Sequence, residues 1–145
     1  MKPIITKFTV LFVLLLSSYN VVAQTADTTS TMVSVLDSVF SVIQVERGTK
    51  TYEEACGECH MPEQFTDSSF MIAWQGQTVF DLFDLIKKTM PYERPSSLRN
   101  RVYVDILAYL LNLNGVPAGS TDMPSSSRIL KQIRIDSVSK GRTKK

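Results

Sequence analysis

The five residues Cys56-Gly57-Glu58-Cys59-His60 constrain this chain more than any others, because they hold both of its cysteines and its one histidine. Two thiols at this spacing on a turn of helix can each form a thioether to a haem vinyl group. The histidine that follows brings an imidazole to the iron from the same side. One short segment thus supplies two covalent anchors and a proximal ligand. Three other chemistries share part of the pattern. A thioredoxin-like redox pair needs a preceding strand and a mixed sheet, and the sequence has no alternating strand pattern or hairpin signal. A closed zinc site wants four ligands, and two cysteines and one histidine are all the classical donors available. A plain disulfide leaves His60 unexplained. The residues point to one covalently bound haem c.

The start of the chain supplies the setting. Lys2 and Lys7 flank a positive start, Phe8 to Leu16 is an apolar stretch, and Val21-Val22-Ala23 closes it with a small residue. That order predicts a secretory signal peptide over residues 1–23, cut after Ala23. The stretch is far shorter than the about 20 apolar residues that cross a bilayer. No cysteine follows the cut, which argues against lipid attachment there. Outside the cytoplasm a close pair of thiols is oxidised or captured by a cofactor. The expectation is an exported, periplasmic protein.

Beyond the leader the pattern is helical, and the expected class is all-α. Residues 24–40 are rich in Thr, Ser and Asp and read as a linker. Ser41 to Gln44 fits a capping box opening a helix to about Ala55, with Val45, Gly48 and Tyr52 on one face. A glycine inside a helix costs stability, so Gly48 implies close approach of a second helix. Thr78 and Asp81 cap a second helix with the apolar stripe Val79, Leu82, Phe83 and Ile86. Lys87 and Lys88 suit its C-terminal end, and Met90-Pro91 stops it. Val102, Ile106, Leu107, Tyr109, Leu110 and Leu113 mark a third helix. Ser97 or Asn100 can cap its start, and Gly115 with Pro117 ends it.

A second axial ligand must come from a distant segment. Thioether sulfur is the usual choice for a high potential. Met1 leaves with the leader, Met61 is next to His60 and cannot reach round the ring, and Met32 and Met123 lie in apparently loose flanks. Met90 is the favoured ligand, in a loop stiffened by Pro91; Met71 is the second choice. Trp74, the only tryptophan, has two open roles: stacking near the haem with its N–H on a propionate, or core packing. Pro62 can orient His60 through a nearby carbonyl.

Charge is segregated along the chain. From Gln24 to Ser127 seven basic residues face thirteen acids, net −6, whereas the segment after Ser127 has seven basic residues and one acid, net +6. Residues 120–145 therefore read as a basic, disordered tail. It either docks on an acidic partner or an anionic membrane surface, or merely aids solubility.

From about Ser38 to Gly119 the sequence resembles the class I cytochrome c family. The motifs are Gln44-x-x-x-Gly48-x-x-x-Tyr52, Cys56-x-x-Cys59-His60, Thr89-Met90-Pro91 and the run from Tyr103 through Asn114-Gly115 to Gly119. The last string looks much like the cytochrome subunits that accompany periplasmic dehydrogenases. The resemblance implies a cytochrome c domain over residues 41–119 with three main helices round one haem. It also implies His60/Met90 ligation, and electron transfer rather than catalysis, as a free carrier or as a subunit of an oxidoreductase. Its partners would be redox proteins (a periplasmic dehydrogenase, a terminal oxidase or another cytochrome), with no nucleic acid. The segment Met61 to Trp74 departs from the family by lacking a Gly-rich loop and spaced proline, which predicts a more exposed haem edge there. A haem sensor or peroxidase-like protein with a displaceable sixth ligand is the alternative.

Overall fold

The structure, a computed structural model, describes residues 32–66 and 68–137. The expected signal peptide, part of the linker (24–31) and the end of the tail (138–145) lie outside the described residues.

Three long helices form the frame, as expected: α1 (Val42–Ala55), α3 (Val79–Thr89) and α4 (Asn100–Leu113). Two short ones, α2 (Ser68–Trp74) and α5 (Ser127–Leu130), join them among the described residues. The Thr78 hydroxyl accepts from the Asp81 N–H, and the Asp81 carboxylate takes the Thr78 N–H, so α3 opens on a full capping box. Gly115 has φ 83°, the left-handed conformation that ends α4. The start of α4 differs from expectation. Its N-cap is Arg99, without a side-chain cap, and the Asn100 side chain accepts from Lys87 Nζ at 2.8 Å. A tertiary partner has claimed the local capping residue.

The crossing of α1 and α4 organises the molecule. Gly48 is the contact point, since a Cβ there would lie 1.9 Å from the Asp105 carbonyl oxygen. A polar network seals one side of this crossing. Ser41 caps α1 by accepting from the Gln44 N–H at 2.9 Å. The Gln44 side chain does not close a capping box, however. It is buried, donates to Asp105 Oδ1 at 3.0 Å and to the Met123 carbonyl at 3.1 Å, and accepts from the Met123 N–H at 2.7 Å. Arg47 adds a forked contact to Asp105 (3.0 and 3.1 Å) and a 2.6 Å contact to Asp122. Each polar group buried at this crossing finds a partner, which is the condition for placing such groups inside.

Two expected boundaries need correction. The linker reading fails from Val33 onward, because Val33–Ser34 is a short strand, β1, and Val35 and Phe40 are fully buried. The disordered-tail reading fails for residues 120–137. Met123, Leu130, Ile133 and Ile135 are buried in the main core. Ile133–Arg134 forms β2, paired in parallel with β1 in the register Val33↔Ile133. Ile135 then exchanges backbone hydrogen bonds with the turn before α3: its N–H donates to Gln77 O and its carbonyl accepts from Gly76 N–H, both at 2.8 Å. The physical reason is that apolar residues interleave with the charges. Arg134 pairs with Asp136, and Lys131 lies over the Phe80 ring at 4.6 Å, so basic residues border a buried stripe.

The fastening of this segment is pH-sensitive. Hydrogen bonds from the Ser41 hydroxyl and the Arg47 guanidinium hold the Asp122 carboxyl below the usual carboxylate range. A depressed carboxylate stabilises the fold above its unfolded-state value of about 3.9, and that contribution is lost as pH falls through the lower folded value. Asp122 is well exposed, so screening keeps the term at about 1 kcal/mol or less. Asp122→Asn is therefore expected to show a shallower loss of stability between neutral pH and pH 3 than the native chain, measured by urea denaturation at each pH.

Candidate functional site

The site grows out of the end of α1. Tyr52, one turn before the helix ends, is buried, and its carbonyl accepts from both the Cys56 and Gly57 N–H groups at 2.8 Å. The chain then tightens into a turn in which Cys59 N–H and His60 N–H both donate to the Cys56 carbonyl, at 3.1 and 2.9 Å. This places Cys56, Cys59 and His60 on one backbone turn. Both cysteines are free; Cys56 is half-buried and Cys59 exposed. Burial pushes the Cys56 thiol up from its ordinary value.

His60 is held from two sides. The Tyr52 hydroxyl donates to its carbonyl at 2.8 Å. Burial, helped by the neighbouring Cys56, pushes the Tyr52 phenol up to about 12, so it remains a donor at neutral pH. On the ring side, His60 Nδ1 lies 3.4 Å from Gln64 Oε1. Gln64 belongs to a 3-10 turn, Pro62–Phe65, whose ring residue Phe65 packs 5.7 Å from His60 and edge-on to Tyr52 at 6.3 Å. Asn114, at the end of α4, donates to the Phe65 carbonyl at 2.6 Å. Pro62 opens this turn at its first position, and the group within reach of His60 Nδ1 is the Gln64 amide.

Met90 and Trp74 stand on other elements. Met90 is the half-buried C-cap of α3. Its backbone is held at both ends, the N–H by Ile86 O at 2.8 Å and the carbonyl by the Tyr103 hydroxyl at 2.8 Å. Ile86 packs against the same small cluster, Tyr52, Ile106 and Leu110, that Cys56 packs against, so the end of α3 borders the side of the molecule where the cysteine turn sits. Met71 and Met123 are buried in the main core, and Met61 is 62% exposed. Trp74 is half-buried against the main core, which favours its packing role. An open groove of ≈ 420 Å³ between α1 and the start of α4 is lined by Arg47, Lys50, Glu54, Arg99 and Arg101 among others, and by none of the motif residues.

The donor set tests the rival chemistries. Among the described residues no three His, Cys, Asp or Glu side chains gather as a metal site needs, and the only strands are the two-residue pair β1–β2. Zinc and thioredoxin-like readings both lack their frame. Two free thiols and an imidazole on one turn, against an aromatic and aliphatic cluster, fit haem c.

The fold and this turn define a small helical domain that carries a Cys-x-x-Cys-His pattern at a helix end. Residues 43–110 match the family model described as "Cytochrome C oxidase, cbb3-type, subunit III", a match that supports the resemblance of that segment to the class I cytochrome c family. A cytochrome c-like segment of this kind points to haem c and haem-based electron transfer. No curated protein and no solved structure matches the chain.

Sequence reasoning missed Tyr52 and Gln64 as supports of His60, and Asn114 as the anchor of the Gln64 turn. The one local signal was the four-residue spacing from His60 to Gln64.

Proposed function

We propose that the chain is an exported, periplasmic c-type cytochrome with one haem, attached through Cys56 and Cys59 and held axially by His60 and Met90. It carries single electrons from a dehydrogenase-type donor to a respiratory acceptor such as a terminal oxidase or another cytochrome. The observation that carries this reading is the Cys56–His60 turn: both thiols are free and the His60 backbone is pinned by Tyr52, within the segment that matches the family. Bound haem c supplies a one-electron couple; the protein contributes the anchors, the ligands and an apolar surround. Met90 is favoured over Met71 because Met71 is spent on the core while the Met90 backbone is fixed and its side chain only half-buried. Docking would be brief, as weak redox encounters are. Lys131 and Arg134 serve the fold, which leaves any docking role of the basic segment to its other cations.

Absorption spectra of the mature protein in both oxidation states test this. Covalently bound, low-spin haem that ignores carbon monoxide is expected, and Met90→Ala should lose the sixth ligand and bind carbon monoxide when reduced. A colourless mature protein with free thiols would sink the haem assignment. Carbon monoxide binding by the unaltered protein would instead support a sensor or peroxidase-like role.

A further inference from the structure

The strongest unassigned feature is the support of the His60 ring. A metal-bound histidine commonly donates its second ring N–H to an acceptor, which fixes its tautomer and strengthens it as a ligand. The acceptor at hand is Gln64, with Oε1 3.4 Å from His60 Nδ1. Gln64 sits in a built frame rather than a free loop. Its own N–H donates to the Met61 carbonyl at 3.0 Å. The next residue, Phe65, is fastened to the end of α4 by Asn114, whose Nδ2 also holds the Leu110 carbonyl at 2.8 Å. The Phe65 ring packs against both Tyr52 and His60. Tyr52 fixes the His60 backbone, α4 fixes the Gln64 turn, and the amide spans the gap between them.

We propose that Gln64 is the positioning residue for His60. It accepts the Nδ1 proton, leaves Nε2 as the ring's lone-pair donor to the iron, and thereby sets the reduction potential of the bound haem. This rests on the haem reading given above. The acceptor's charge decides the direction. A carboxylate at position 64 pulls harder on the Nδ1 proton, makes the imidazole a stronger donor and favours ferric iron. An aliphatic side chain removes the acceptor and favours ferrous iron.

The test is the midpoint potential of the haem-loaded full chain for Gln64→Glu, the native protein and Gln64→Leu. Covalent haem content and carbon monoxide binding are measured alongside. The expected order is Glu lowest, native intermediate, Leu highest, with equal covalent haem in all three. The ring-proton resonances of the axial histidine should shift in the same order. A purely structural role would not produce opposite displacements in the two variants. Coincident potentials, or displacement of both variants in one direction, would overturn the proposal while leaving the haem reading intact. Absence of covalent haem from the native protein would overturn both.

Discussion

Gly48→Ala is expected to cost this protein about 3 kcal/mol of stability, the upper end of the range for overpacking. Two effects oppose each other. Alanine is the better helix former by about 1 kcal/mol. Against that, the new methyl group would lie 1.9 Å from the Asp105 carbonyl oxygen, 2.6 Å from its carbonyl carbon and 3.0 Å from Tyr109 Cβ. The obstacle is the backbone of α4, so no rotamer change relieves it and the helices must separate. Separation also draws Asp105 away from Gln44 and Arg47, which hold it at 3.0–3.1 Å. The steric term therefore outweighs propensity. Gly76→Ala is the control. Nothing lies within 4 Å of a Cβ there, and only its φ of +79° opposes the change, at about 1–2 kcal/mol. Urea denaturation of the haem-loaded proteins should place Gly48→Ala below Gly76→Ala. The reverse order would contradict the close crossing of α1 and α4.

That crossing was foreseeable from a single residue, because a glycine inside a helix has few reasons to be there. The stripes of α3 and α4, and the Thr78–Asp81 box, were equally legible: each is written within a few consecutive positions. What escaped was non-local. Gln44 looked like a capping-box partner, but its amide is taken by Asp105, 61 positions away, and by the backbone of Met123. Asn100 looked like a cap and serves Lys87. The segment after Gly119 looked disordered because polar residues and cations dominate its composition. Its apolar residues are few, and they reach the core through pairing with β1 and the α2–α3 turn, neither of which a local pattern can reveal.

The candidate site divides in the same way. Cys56, Cys59 and His60 lie within five consecutive residues, so the sequence by itself points to a chemistry for them. The groups that orient His60 come from three places: α1, a 3-10 turn and the end of α4. Their joint action depends on α1 and α4 meeting at Gly48. Fold and site are linked there, since the contact that brings the helices together also brings Asn114 to the turn bearing Gln64.

Cys56→Ser combined with Cys59→Ser is expected to abolish covalent attachment while leaving most of the fold intact. Serine has nearly the same shape but forms no thioether with a vinyl group. Cys59 is exposed, and Cys56 only half-buried, so the substitutions remove little packing. His60 would keep its contacts to Tyr52 and Gln64, and haem could still bind through its ligands. The difference then appears as mass action. A dissociable ligand stabilises the folded state in proportion to the logarithm of its free concentration over its dissociation constant, whereas a tethered one is never diluted away. The double variant should release all of its haem into acidified organic solvent and show a Tm that rises with added haem. The native protein should keep its colour through denaturation, with a Tm indifferent to added haem. Haem that stays on the double variant under denaturing conditions would mean that attachment runs through other residues, and the assignment of the Cys56–His60 turn would fail.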